Sequence, residues 1–170
     1  MSLEQEVELI RRIPIFSKIA PAKQKLLCFS SERLIYADGQ VIFIEGDVGD
    51  GCYVVIDGTV EISVKSKSGP LVLSMMGRNE LIGEIAVFAE VPRTATATPR
   101  SRVEVLKISK ELFSSVIREN PHAAVELIRI LAVRLAENAK LLTKLSDQVQ
   151  DLTAAKQPAE HSSASATQTP

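Results

Sequence analysis

The chain has 170 residues, 45% of them hydrophobic, with 20 basic and 21 acidic side chains and a net charge of -1. That is enough apolar material for one compact domain with a real core plus extensions, and it leaves no basic excess for binding nucleic acid by phosphate neutralisation alone. No apolar run reaches membrane-spanning length, the acidic, amphipathic start MSLEQEVELIRR does not read as a secretory leader, and two cysteines are too few for a four-thiolate cluster. The expectation is a cytoplasmic protein in which Cys28 and Cys52 are reduced and buried.

Leu3, Val7, Leu9 and Ile10 fall at helical spacing ahead of Pro14, and a second helix is predicted over residues 21–30. From Glu32 to Ser109 the period changes. Short β-branched runs alternate there with turn dipeptides at Asp38-Gly39, Glu45-Gly46, Asp57-Gly58 and Ser68-Gly69. The predicted strands are RLIYA (33–37), VIFI (41–44), CYVVID (52–57), TVEISVK (59–65), LVLSMM (71–76), TATAT (94–98) and RVEVLKIS (102–109). Such even spacing points to a sandwich or closed barrel, and Asp57-Gly58 reads as a two-residue hairpin turn. Ser109 is placed to cap a short helix through Arg118, and Pro121 to open a long one through about Leu152.

The most informative segment is IGEIAVFAEVPRTATAT, residues 82–98. Gly83 has no side chain to block approach, so the amides of the Glu84-Ile85-Ala86 turn can point at an anion. Arg93 supplies a planar, permanently charged fork suited to phosphate oxygens. Glu84 would repel that phosphate and must instead accept hydrogen bonds, for which a sugar hydroxyl is the natural donor. Singly, each residue has a plainer reading, a helix cap for Gly83-Glu84 and a solvated arginine for Arg93. Together they are far more specific.

GEIAV followed by PRTATAT resembles the phosphate-binding cassette of the cyclic nucleotide-binding domain family, in its stand-alone, catabolite-activator type of sensor domain. The resemblance runs from about Leu9 to Leu145. It implies a mainly β fold with flanking helices: a double-stranded β-helix, or jelly roll, followed by a long C-terminal dimerisation helix. It also implies that Glu84 takes the ribose 2′-hydroxyl and Arg93 the cyclic phosphate, that Gly83 and Ala86 stand at the backbone amide positions, and that Thr94 reaches the phosphate or a syn purine. Ile82 departs from the larger residue usual there, with little expected effect. By position, Leu73, Ser74, Met75 and Met76 resemble the family's purine-lining strand, and ordinary core packing explains each equally well. The expected organisation is 1–30 N-terminal helices, 31–120 nucleotide-binding roll, 121–153 dimerisation helix and 154–170 disordered tail.

In the last helix Ile128, Leu131, Leu135, Asn138, Leu142, Leu145, Val149 and Leu152 alternate in steps of three and four, a heptad seam that predicts a parallel homodimer. Asn138, its one polar member, either fixes register against its symmetry mate or, as the family resemblance implies, contacts adenine. The tail QPAEHSSASATQTP has too few apolar residues to fold, and the helix is balanced in charge, so direct DNA binding is not expected and output to an unidentified protein partner is. His122 and His161 cannot form a cupin-like metal centre, no nucleophilic set is visible, and neither catalysis nor a cofactor is expected. Cyclic AMP is the preferred ligand, with cyclic GMP and cyclic di-GMP as alternatives and a degenerate, non-binding interaction module as the competing reading.

Overall fold

The computed structural model describes residues 3–155. Two compact units divide the chain, one through Ile130 and one from Leu131 onward. The first begins with α1 (Leu3–Arg12), a 3-10 turn (Pro14–Phe16) and α2 (Pro21–Ser30). Val7 and Ile10 form the buried stripe of α1, continued by Ile13 just past its end and by Ile15 and Phe16 in the turn. Pro21 opens α2 at its first position, where a missing amide costs nothing. Gln24 is buried within α2 and donates from Nε2 to the Phe16 carbonyl at 3.1 Å, which ties the helix to the turn.

Seven strands follow: β1 (Glu32–Tyr36), β2 (Gly51–Asp57), β3 (Val60–Ser66), β4 (Gly69–Met76), β5 (Leu81–Ile82), β6 (Thr96–Pro99) and β7 (Val103–Ser109). They form two antiparallel sheets, one in the order β1-β7-β2-β5 and the other β4-β3-β6. The double-sheeted roll is therefore as predicted. Its core holds Tyr53, Val55, Val60, Met76, Ile82, Ala97, Val103 and Val105. Every residue of β2 before Asp57 is buried. Tyr53 and Val55 face that core, whereas Cys52, Val54 and Ile56 fall on the other face by the two-residue period, where α3 (Glu84–Phe88) and α4 (Lys110–Glu119) lie against the strand. A strand covered on both faces explains why CYVVI is uniformly apolar instead of alternating. Both cysteines are buried and free, as expected.

Two local readings need correction, and one strand was missed. Asp57-Gly58 is not a hairpin turn, because β2 and β3 belong to different sheets and the dipeptide carries the chain between them. Gly58 has φ +87°, and a Cβ on it would stand 2.5 Å from the Arg102 carbonyl oxygen, so the glycine serves a tight crossing. The hairpin lies at β3–β4, where Ser66 pairs with Gly69. VIFI is not a strand either. Phe43 makes a single bridge with Ala97, and the chain turns away at Gly46, whose φ is +93°. The two-residue β5, which pairs with Tyr53 and Val54, was too short for a periodicity signal.

Ser109 caps α4 as expected, its hydroxyl accepting from the Leu112 amide at 3.3 Å. The helix α5 (Pro121–Ala155) continues three residues beyond the expected Leu152. Ala123 and Leu127 are buried at its start. In the second unit Leu135, Leu142, Val149 and Leu152 are 61–71% exposed. The predicted tail from residue 156 lies outside the described residues.

Candidate functional site

The connection between β5 and β6 builds the site. Leu81 and Ile82 are buried against β2, so the chain reaches Gly83 from within a sheet edge. Gly83 is left-handed, at φ 77° and ψ 6°, and immediately precedes α3. A Cβ on it would meet Arg93 Nη1 at 2.5 Å and Phe43 Cε1 at 3.2 Å. Conformation and crowding thus both demand glycine. The amides opening α3 have no intrahelical acceptor, as at any helix start. Glu84 and Ala86 are 1% and 4% exposed, while Ile85 faces outward.

Arg93 comes back to this turn because its backbone is clamped to the loop after Phe43. Its amide donates to the Asp47 carbonyl and its carbonyl accepts from the Gly46 amide, both at 2.8 Å. The side chain lies inside: Nη1 donates to the Gly83 carbonyl at 2.9 Å, and Nη2 donates to the Gly51 carbonyl at 2.7 Å and to Asp50 Oδ1 at 3.3 Å. The guanidinium carbon lies 4.3 Å from the centroid of the Phe43 ring and 5.7 Å from that of Tyr53, and these rings stack at 5.8 Å. Among the described residues Nε finds no acceptor although it is buried. A buried N–H left so costs about 1–3 kcal/mol, which an anionic oxygen would recover. Chemically, this is a fixed cation with an unspent donor beside the first turn of α3.

Lys107 on β7 donates to Asp50 Oδ2 at 2.5 Å. Burial alone would raise the Asp50 carboxyl, but the Lys107 hydrogen bond and charge, with Arg93 beyond, hold it below its usual value. A depressed carboxylate contributes stability above its unfolded pKa and loses it as pH falls through the folded one. Accordingly, Asp50→Asn should flatten the loss of thermal stability between about pH 5 and about pH 3, as followed by melting curves; identical pH profiles for variant and parent would disprove the linkage. The effect is small, since the Asp50 side chain is 60% exposed. Beneath the turn, burial and then the Glu84 charge push the Cys52 thiol well up, so it is no nucleophile.

The structure brings Gly83, Glu84, Ile85 and Ala86 into one turn with Arg93 packed on it, and leaves Thr94 exposed next in the chain. Leu73 and Ser74 stand on β4. Ile62 pairs with Ser74 and Ser63 with Val72, so Leu73 is an extra, bulged residue. The bulge breaks the two-residue alternation and leaves Leu73 and Ser74 both half-buried. Asn138 is exposed on α5 in the second unit. Phe43, Tyr53, Asp50, Gly51 and Lys107 were missed by sequence reasoning. The available signal was the glycine-acid run at residues 45–51 next to a buried strand, read only as a turn.

The comparisons give the family of this two-sheet roll with a buried arginine on one connection. The model for the cyclic nucleotide-binding domain matches residues 33–120. The CRP-like cAMP-activated global transcriptional regulator of Mycobacterium tuberculosis is 30% identical over 81% of this chain and 62% of its own length. Among solved structures, the Catabolite Activator Protein of Thermus thermophilus matches with a TM-score of 0.67 and 33% identity, over 78% of this chain and 63% of that one. The N-terminal domain of a transcriptional regulator from Streptomyces coelicolor matches at 0.60 and 34%, over 76% and 94%. The chain belongs to the cyclic nucleotide-binding domain family and is related to CRP-like regulators. It spans less than two thirds of the curated Mycobacterium relative. No helix among the described residues is long and apolar enough to cross a membrane.

Proposed function

We propose that this protein is a cyclic mononucleotide receptor, with cyclic AMP as its ligand, that signals to a protein partner by ligand-dependent rearrangement of its C-terminal helix. The observation that carries the reading is Arg93: 3% exposed, held in place by carbonyls, and with Nε lacking an acceptor among the described residues. In this reading the phosphate meets Arg93, Thr94 and the amides of Gly83, Ile85 and Ala86, Glu84 accepts from the ribose 2′-hydroxyl, and Leu73 and Ser74 contact the base. Cyclic AMP is favoured over cyclic GMP by similarity to a regulator described as cAMP-activated. The roll and cassette at 31–120 would sense, and the helix from 121 would transmit. No catalytic step is assigned to the site.

A degenerate interaction module is the second reading, favoured by one fact: Nη1 and Nη2 of Arg93 already bond protein oxygens. Isothermal titration with cyclic AMP, cyclic GMP and cyclic di-GMP decides between them, and heat from none of the three would leave only the second.

The exposed aliphatic seam of α5 supports a homodimer. Leu142 and Val149 are 68% and 61% exposed within one chain, a cost that pairing with a twin helix removes. Leu142→Asp combined with Val149→Asp should convert a dimer to a monomer in sedimentation velocity while the roll melts as before. A parent protein that sediments as a monomer at every concentration would contradict the seam's role.

A further inference from the structure

Resting on that reading, we infer that Phe43 is a positioning residue for the phosphate-binding arginine, acting through its ring face rather than by touching ligand. A guanidinium carries all five of its donors in one plane. Hydrogen bonds at its edge set where that edge points, but each one spends a donor the phosphate needs. A ring against the flat face fixes the plane and spends none. Phe43 is placed for this, with its centroid 4.3 Å from the Arg93 guanidinium carbon.

The ring is itself held from three sides. Tyr53 stacks on it at 5.8 Å with 30° between the planes, and the Phe43 backbone is bridged to β6, its carbonyl accepting from the Ala97 amide at 3.0 Å. Cε1 would lie 3.2 Å from a Cβ on Gly83, so the missing side chain of the turn is what lets the ring slide under the guanidinium. Tyr53 in turn belongs to β2, one residue after Cys52 and two after the Gly51 carbonyl that receives Nη2. Edge and face of the arginine are thereby referenced to one strand. The half-buried Phe43 packs against the core, while the guanidinium carbon lies 4.3 Å from its ring centroid and 5.7 Å from that of Tyr53.

The test is a double-mutant cycle with a ligand-independent companion. Phe43→Leu should weaken cyclic AMP binding about tenfold by isothermal titration, Phe43→Tyr should restore most of that loss, and Phe43→Leu should add nothing in an Arg93→Ala background. In nucleotide-free, 15N-labelled protein the Arg93 Nε–H resonance should carry an upfield ring-current shift that Phe43→Leu abolishes and Phe43→Tyr keeps. Equal losses with and without Arg93 would show a packing role and overturn the inference, as would an Nε–H resonance indifferent to Phe43→Leu. Parent binding with unaltered Phe43→Leu affinity would overturn this inference alone. A parent that binds no cyclic nucleotide would sink the receptor reading and this role with it, even if the ring-current shift were present.

Discussion

Replacing Arg93 with alanine is expected to weaken cyclic AMP binding by about ten- to a hundredfold, the worth of one to two charge-assisted hydrogen bonds. The side chain supplies the buried cation of the turn, and its Nε has no competing acceptor among the described residues. The free protein should suffer too. The carbonyls of Gly83 and Gly51 each lose a donor, so unfolding in urea should show a stability lower by about 1–3 kcal/mol. The two effects are separable with Arg93→Lys, which keeps a point charge but not the planar fork. It should recover part of the affinity and little of the double carbonyl clamp. If Arg93→Ala bound cyclic AMP as the parent does, the phosphate would have to sit elsewhere.

Gly83→Ala should damage both the turn and the arginine packed on it. An L-residue at φ +77° costs about 1–2 kcal/mol in backbone strain. The added Cβ would also stand 2.5 Å from Arg93 Nη1, and the guanidinium cannot retreat freely because its carbon lies 4.3 Å from the Phe43 ring centroid and its terminal nitrogens bond the Gly83 and Gly51 carbonyls. Total destabilisation of about 2–3 kcal/mol is expected from chemical denaturation, with cyclic AMP affinity reduced alongside because the arginine is displaced. An alanine variant as stable as the parent would mean that the turn does not adopt the left-handed conformation.

These two residues were legible in the sequence because each is a residue type with few alternatives. A glycine before a short acidic-aliphatic turn and an arginine after proline carry chemistry that survives without coordinates. The roll was legible for a different reason: β-branched runs and turn dipeptides recur evenly through residues 32–109. Pairing was not. Asp57-Gly58 has the composition of a hairpin turn and instead crosses between sheets, since which strands pair is decided by packing distant in sequence. Phe43 was hidden inside an apolar run that imitated a strand, and its contact with Arg93 spans fifty positions. Likewise the bulge at Leu73 leaves no compositional trace, yet it sets which way Ser74 and Met75 face.

The strand order has a consequence for how such a sensor is made. β7 lies between β1 and β2, with Glu32 opposite Lys107 and Gly51 opposite Ser109. Chains are synthesised and begin to fold from the N-terminus, so a ribosome that has just passed Thr98 has delivered every cassette side chain while β1 still lacks its neighbour. The Gly51 carbonyl that must receive Arg93 Nη2 belongs to a strand whose central partner is not yet built. Distant pairing of this kind is slow to form. A nascent chain therefore gains its chemistry before it gains its shape, and a product cut short ahead of Ser109 would hold the right residues without the floor that aligns them.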